Sequence, residues 1–165
     1  MPVDGSVNQS PCHCAALRKA ARRVTQVYDA ALASSGLTVT QFSTLAEIDR
    51  CGKRSPTMGE LAEALGMDRS TLGHSLRPLE RDRLIQLRAG EEDRRSRRVF
   101  LTPAGKAKFT EAIAFWRKAQ ECFESTYGSG SAARLRNVLN DLAALDFTTK
   151  KLVHLQGKEE LKTFI

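Results

Sequence analysis

The sequence predicts a mainly α fold with one small β-hairpin. Apolar residues recur at helical spacing over most of the 165 residues. Ser/Thr/Asp helix-start signals stand before several of these runs, at Ser10, Thr38, Thr57 and Asp68. Period-two alternation stands out only at Ile85 with Leu87 and at Val99 with Leu101, on either side of an arginine-rich stretch. Helix, tight turn, helix, strand, charged loop, strand is the order of a winged helix-turn-helix, here flanked by further helices at both ends.

Residues 1–10 are short, polar and terminal, and are expected to form a disordered tail. Ser10 can cap a first helix with Pro11 at its first position. Leu17, Ala20, Ala21, Val24, Val27, Tyr28, Ala31 and Leu32 then repeat as one face of a helix that ends at Gly36. Thr38 and Gln41 make a capping box for a second helix, whose apolar face holds Phe42, Leu45 and Ile48. Thr57 and Glu60 repeat the box for a short third helix stopped at Gly66, and Asp68 can cap a fourth. Pro78 falls inside that fourth helix and removes one backbone donor. The strands around Ile85 and Val99 enclose RAGEEDRRSR, too polar to pack and so a wing.

Thr102 and Pro103 start a fifth helix with Phe109, Ala112, Ile113, Trp116, Ala119 and Phe123 on one face. GSGS at 128–131 reads as a flexible break before a sixth helix, LRNVLNDLAAL. The division is therefore a tail (1–10), a dimerisation helix (11–36), a winged helix-turn-helix (37–102) and C-terminal dimerisation helices (103–165). Dimerisation is expected because a reader and hairpin need no long flanking helices, whereas long helices with apolar faces ask for a partner surface.

Charge points to the partner. The chain carries a formal net charge of +7, which suits a polyanion. Its clustering is more telling: nine Arg, no Lys and five acids lie between Arg69 and Arg98. Arginine suits forked contacts to phosphates and guanine edges. The fourth helix, fixed by a tight turn at Gly66 and Met67, presents Arg69, Ser70, Thr71, Gly73, His74 and Arg77 near its start. The short hydroxyls suit phosphate contact, while Arg69, His74 and Arg77 can reach base edges. Gly73 leaves room for close approach. Leu72, Leu76 and Leu79 belong to the core. In the wing, Arg94 and Arg95 sit at the tip, where an arginine can enter a narrow minor groove. Arg97 and Arg98 alternate in direction, and Arg97 is the one expected to face DNA.

The stretches MGELAEALGMDRSTLGHSLRPLERDRLI and EEDRRSRRVFLTPAG resemble the MarR family of bacterial transcription regulators, a resemblance that covers roughly Cys14 to Tyr127. It implies a homodimer with interlocking first, fifth and sixth helices. It also implies binding to a pseudo-palindromic double-stranded DNA operator, with release by a ligand or oxidant. Two-fold symmetry sets half-sites about one turn of DNA apart, roughly 34 Å. Arg83 stands where the family usually has glycine, which predicts a mildly strained backbone there.

Two kinds of control fit the residues. Cys12, His13 and Cys14 lie in the first turn of the first helix, where exposed amides favour the reactive form of sulfur. CAALRKAARRVTQVY resembles the first helix of the organic-hydroperoxide-sensing branch of the family. That likeness implies Cys14 as the oxidised cysteine and Tyr28 as an assisting tyrosine. The two lie about 21 Å apart along a helix, so they could meet only across the dimer. Cys122 is a candidate resolving cysteine. The other control is a small aromatic ligand, with Arg18, Phe42, Phe115 and Trp116 lining its pocket.

Alternative readings are a DNA-architectural protein without a switch, and a metal-responsive regulator using Cys12, His13 and Cys14. No cofactor is expected, and no catalytic motif suggests an enzyme. The N-terminus MPVDGSVNQS has neither the basic flank nor the apolar run of a signal peptide. No stretch is suited to crossing a membrane, so the expected location is cytoplasmic.

Overall fold

The computed structural model describes residues 11–52, 54–90 and 96–145. In chain order these form α1 (His13–Leu32), a 3-10 turn (Ala33–Ser35), α2 (Val39–Arg50), α3 (Met58–Ala64), α4 (Arg69–Arg81), β1 (Ile85–Ala89), β2 (Arg97–Leu101), α5 (Pro103–Tyr127) and α6 (Ser129–Ala143). The fold is the mainly helical one with a two-stranded hairpin that the sequence predicts. The chain divides into two units, Met1–Phe123 and Glu124–Ile165. The expected tail at residues 1–10, the wing tip with Arg94 and Arg95, and the segment after Leu145 lie outside the described residues.

Local signals set most helix starts in the first unit. Thr38 accepts the amide of Gln41 and the Gln41 side chain accepts the amide of Thr38, so the capping box of α2 is complete. Thr57 and Glu60 do the same for α3. Asp68 accepts the amide of Thr71 at 2.8 Å and caps α4.

The start of α1 differs from expectation. Cys12 is extended (φ −75°, ψ 111°) and is the N-cap, so Pro11 precedes the helix instead of opening it. Residues 11–22 are all exposed, and no packing holds an earlier turn in place. Cys14 is thereby the second helical residue. A second correction falls in the other unit. Ser129–Ser131, expected as a flexible break, form the first turn of α6. Gly128 is the N-cap, and its carbonyl accepts the amide of Ala132 at 2.8 Å. Short polar residues cost little in a first turn, where amides lack helical partners anyway.

The core of the first unit lies beneath α4 and the hairpin. Leu32, Leu45, Leu61, Leu72, Leu76, Leu79, Ile85 and Val99 are each at most 1% exposed. Burying a leucine of this kind contributes roughly 1.5–3 kcal/mol. That burial offsets the weak helix propensity of a segment containing Gly73 and Pro78. The sheet is antiparallel, with Leu87 opposite Val99 and Ala89 opposite Arg97. One face therefore carries Ile85, Leu87, Val99 and Leu101 toward the core.

Between α4 and β1 the chain turns at Arg83, whose φ of 57° makes it the one non-glycine residue with positive φ among those described. The expected strain is thus present. The amide of Arg83 donates to Glu80 O and that of Leu84 to Leu79 O, at 2.9 and 2.8 Å, closing the helix. The carbonyl of Leu84 then accepts the amide of Thr102 at 3.1 Å, and the one proton of the Thr102 hydroxyl is shared between Arg83 O at 2.8 Å and Leu84 O at 3.1 Å. The Thr102 hydroxyl oxygen accepts the amide of Gly105 at 2.9 Å, which caps α5. A Cβ on Gly105 would lie 1.9 Å from Leu84 O, so only glycine fits. Gly105→Ala is expected to destabilise the fold by about 1–3 kcal/mol or more. A lowered urea midpoint at unchanged slope checks this, and wild-type stability would remove the steric argument.

Candidate nucleic-acid interface

The helix-turn-helix turn is Leu65–Gly66–Met67. Gly66 takes φ 62°, and the amide of Met67 reaches back to Ala62 O at 2.8 Å. This left-handed glycine ends α3 and lets Asp68 begin α4 one residue later. With Leu72, Leu76 and Leu79 buried, the opposite face of α4 must point outward.

That face and the hairpin enclose a depression of about 330 Å³, whose lining includes Arg69, Ser70, Gly73, His74, Arg77 and Arg97. Six of the residues singled out from the sequence therefore share one surface. Arg69 leans across the start of α3: its Nη2 would be 3.1 Å from a Cβ on Gly59. Beyond the backbone of α4 itself, no atom of the described residues lies within 4 Å of a Cβ built on Gly73. The space above that residue is not used by the fold. Thr71 is exposed, and its hydroxyl donates to Asp68 Oδ2 at 2.6 Å. In this arrangement its proton serves the cap and is not available to a phosphate.

The arginines of β2 part company as alternation requires. Arg97 is exposed beside α4. Arg98 turns the other way, where its Nη1 donates to Ser55 O at 2.6 Å. The amide of Val99 donates to Pro56 O at 2.9 Å, and Thr57 forms a β-bridge with Arg98. The chain before α3 is thus stitched to the hairpin, which fixes the wing root against the helix-turn-helix. The long-range partner of Arg98 had no signal in the sequence beyond that alternation.

The sensing candidates are placed as follows. Cys12, Cys14 and Cys122 are exposed and Cys51, the C-cap of α2, is half-buried. The Tyr28 hydroxyl donates to Gln120 Oε1 on α5 of the same chain. Cys14 stands fourteen positions earlier on α1, so one chain does not bring it to Tyr28. Among the described residues no group of three or more His, Cys, Asp or Glu could hold a metal ion. Cys12, His13 and Cys14 therefore do not form such a group within one chain.

Phe42 is buried and stacks on Trp116 (centroids 5.8 Å apart, planes at 17°) and tilts against Phe109 at 5.2 Å. These rings fill core space. Phe115 is half-buried under Lys118, whose Nζ is 5.8 Å from the ring centre. Arg18 lies on the exposed first half of α1. Among the described residues no helix is long and apolar enough to cross a membrane.

Comparison with known proteins agrees with this geometry. A MarR family model matches residues 35–96. The M. tuberculosis transcriptional regulator MosR, solved in complex with DNA, is 42% identical; the match covers 80% of this chain and 93% of that one at a TM-score of 0.70. The transcriptional repressor CouR, bound to a 23-mer DNA duplex, is 26% identical over 80% of this chain and 92% of its own, with a TM-score of 0.71. CouR from Rhodococcus jostii RHA1 bound to p-coumaroyl-CoA shares the fold at 21% identity and a TM-score of 0.67, over 80% of this chain and 92% of that one. Among curated proteins none matches.

The caps that shape the surface are acid-sensitive. Hydrogen bonds from the Thr71 hydroxyl and amide hold the Asp68 carboxyl below its ordinary range. The Thr57 amide and hydroxyl do the same for Glu60, helped by the charges of Arg54 and Arg98. A carboxyl with a depressed folded value stabilises the fold fully above its unfolded value, and that contribution disappears as pH falls through the folded value. The thermal midpoint should therefore fall as pH drops below about 4. Asp68→Asn keeps a capping oxygen but cannot titrate, and should flatten part of that slope. An identical acid profile in the variant would show that Asp68 contributes nothing to it.

Proposed function

We infer that this chain, which belongs to the MarR family of transcriptional regulators, binds a pseudo-palindromic duplex operator as a homodimer, represses from it and is released by an effector. The observation that carries this reading is the shared surface of α4 and β2, where Arg69, Ser70, His74, Arg77 and Arg97 converge around the unfilled space above Gly73. Arg69, His74 and Arg77 reach base edges in the major groove, while Ser70 and Arg97 hold phosphates. Thr71 supports them as part of the cap.

The flanking segments, 11–36 and 103–165, supply the dimer contact. Leu17 and Val27 on α1 are 42% and 39% exposed, and Val138 and Leu139 on α6 are 60% and 41% exposed. Long helices that leave such side chains in water within one chain gain by covering them with a second copy.

Release is assigned to oxidation at Cys14, exposed in the first turn of the chain's first helix, or to a small aromatic ligand in the region of Arg18, Phe42, Phe115 and Trp116. The deciding experiment is binding to duplex DNA from upstream of the protein's own gene, before and after cumene hydroperoxide. Loss of binding that dithiothreitol restores and Cys14→Ser abolishes establishes the redox route. Binding indifferent to oxidant sinks that route and turns the search to aromatic acids and their thioesters. Equal affinity for this DNA and a random duplex, with no effector response, would favour an architectural protein instead.

Gly73→Ala separates the fold from the interface. Beyond the backbone of α4 itself, the added methyl meets no atom of the described residues, and it raises helix propensity by about 1 kcal/mol, so stability should hold or rise. The same methyl enters the space assigned to DNA, so operator affinity should fall at least several-fold. Unchanged affinity would remove Gly73 from the contact surface.

A further inference from the structure

We propose that Arg83 and Arg88 form an additional anion site beside the reading surface, which takes a backbone phosphate of the bound duplex. The proposal rests on the operator-binding reading above and extends it to residues with no role in base recognition.

The site is a depression of about 480 Å³ between the end of α4 and β1, lined by Glu80, Arg83, Ile85, Gln86, Leu87 and Arg88. It adjoins the reading surface, because Glu80 and Leu87 line both depressions. Among the described residues β1 pairs only with β2, so its outer edge is open to a partner on this side.

Arg88 is already oriented. Its guanidinium stands 4.8 Å from the centre of the Phe100 ring, and its Nη2 donates to Gln86 Oε1 at 2.8 Å. A guanidinium held in this way loses less freedom when it meets a phosphate. Arg83 projects from a fixed root, since its amide is bonded to Glu80 O at 2.9 Å and its carbonyl accepts the Thr102 hydroxyl at 2.8 Å. Its φ of 57° is one that glycine adopts without penalty and a side chain does not. The fold gains nothing from a side chain there, and what arginine adds is a cation at the rim of the depression. Glu80 is the carboxylate in the lining. Two guanidinium groups against it leave a net positive site, and their forked donors match phosphate oxygens.

The test measures binding of the full-length protein across a salt series, by fluorescence anisotropy, to upstream DNA of about 30 bp and to a random duplex of equal length. Arg83→Gly, Arg88→Gln and the double variant are compared with wild type. Loss of one phosphate contact lowers the salt slope by about 0.9; the homodimer carries the site twice, so the double variant should lose about two units and each single variant a part of that. Affinity should fall several-fold on both duplexes alike, because phosphates carry no sequence. Arg83→Gly should meanwhile keep or raise the thermal midpoint, which separates lost charge from damaged fold. Wild-type slopes in a wild-type background that binds DNA overturn the site alone. Weakening confined to the upstream duplex also overturns it, since that would be base readout. A wild type that binds neither duplex removes the operator-binding reading and the site with it.

Discussion

The carbonyl of Leu84 is the point at which the reader, the hairpin and the long fifth helix are joined. It accepts the amide of Thr102 and shares the Thr102 hydroxyl proton with Arg83 O, and Gly105 comes so close that no side chain could stand there. The end of α4, the start of β1, the end of β2 and the start of α5 are thereby held within a few residues of one oxygen. A second fastening, from Arg98 to Ser55 and from Val99 to Pro56, ties the hairpin to the start of α3. Lys106 adds an ion pair of 2.6 Å to Asp49, linking α5 to α2. With these contacts in place, the angle between the reader and its wing follows from backbone chemistry and needs no ligand to set it.

What could be read in the sequence was what local chemistry decides. Thr38 with Gln41, Thr57 with Glu60, and Asp68 each mark a helix start that the structure contains, because a side-chain oxygen three residues from an amide has one obvious use. Leu72, Leu76 and Leu79 announce the buried side of α4 by spacing, and the outer side follows by elimination. Arg83 in a left-handed turn was legible because the resemblance puts a glycine there. The misreadings fell where packing is thin. The start of α1 is wholly exposed, so Pro11 had no neighbour to enforce its signal, and a Gly/Ser run read as a break serves as the first turn of α6.

Long-range partners were out of reach for a different reason. Tyr28 meets Gln120 across ninety-two positions, and Arg98 meets Ser55 across forty-three; neither pair leaves a local pattern. The site was legible as a set of residues but not as roles. Thr71 looks like a phosphate donor in a list of polar residues, but in three dimensions its hydroxyl is occupied by a cap. Arg88, passed over in the sequence, is held by Phe100 and Gln86 in a pose that a residue list cannot show.

The composition of α4 has a consequence for how such a surface can be switched. Gly73 and Pro78 make it a poor helix in its own right, and a peptide of that length would not hold its shape in water. Its order is borrowed from the burial of Leu72, Leu76 and Leu79, in the same core as Phe42, against which Trp116 packs. Anything that wedges apart that aromatic stack withdraws the support on which the outward face depends. Recognition can then be erased from underneath, by melting the helix that displays it, with every DNA-facing side chain left chemically untouched.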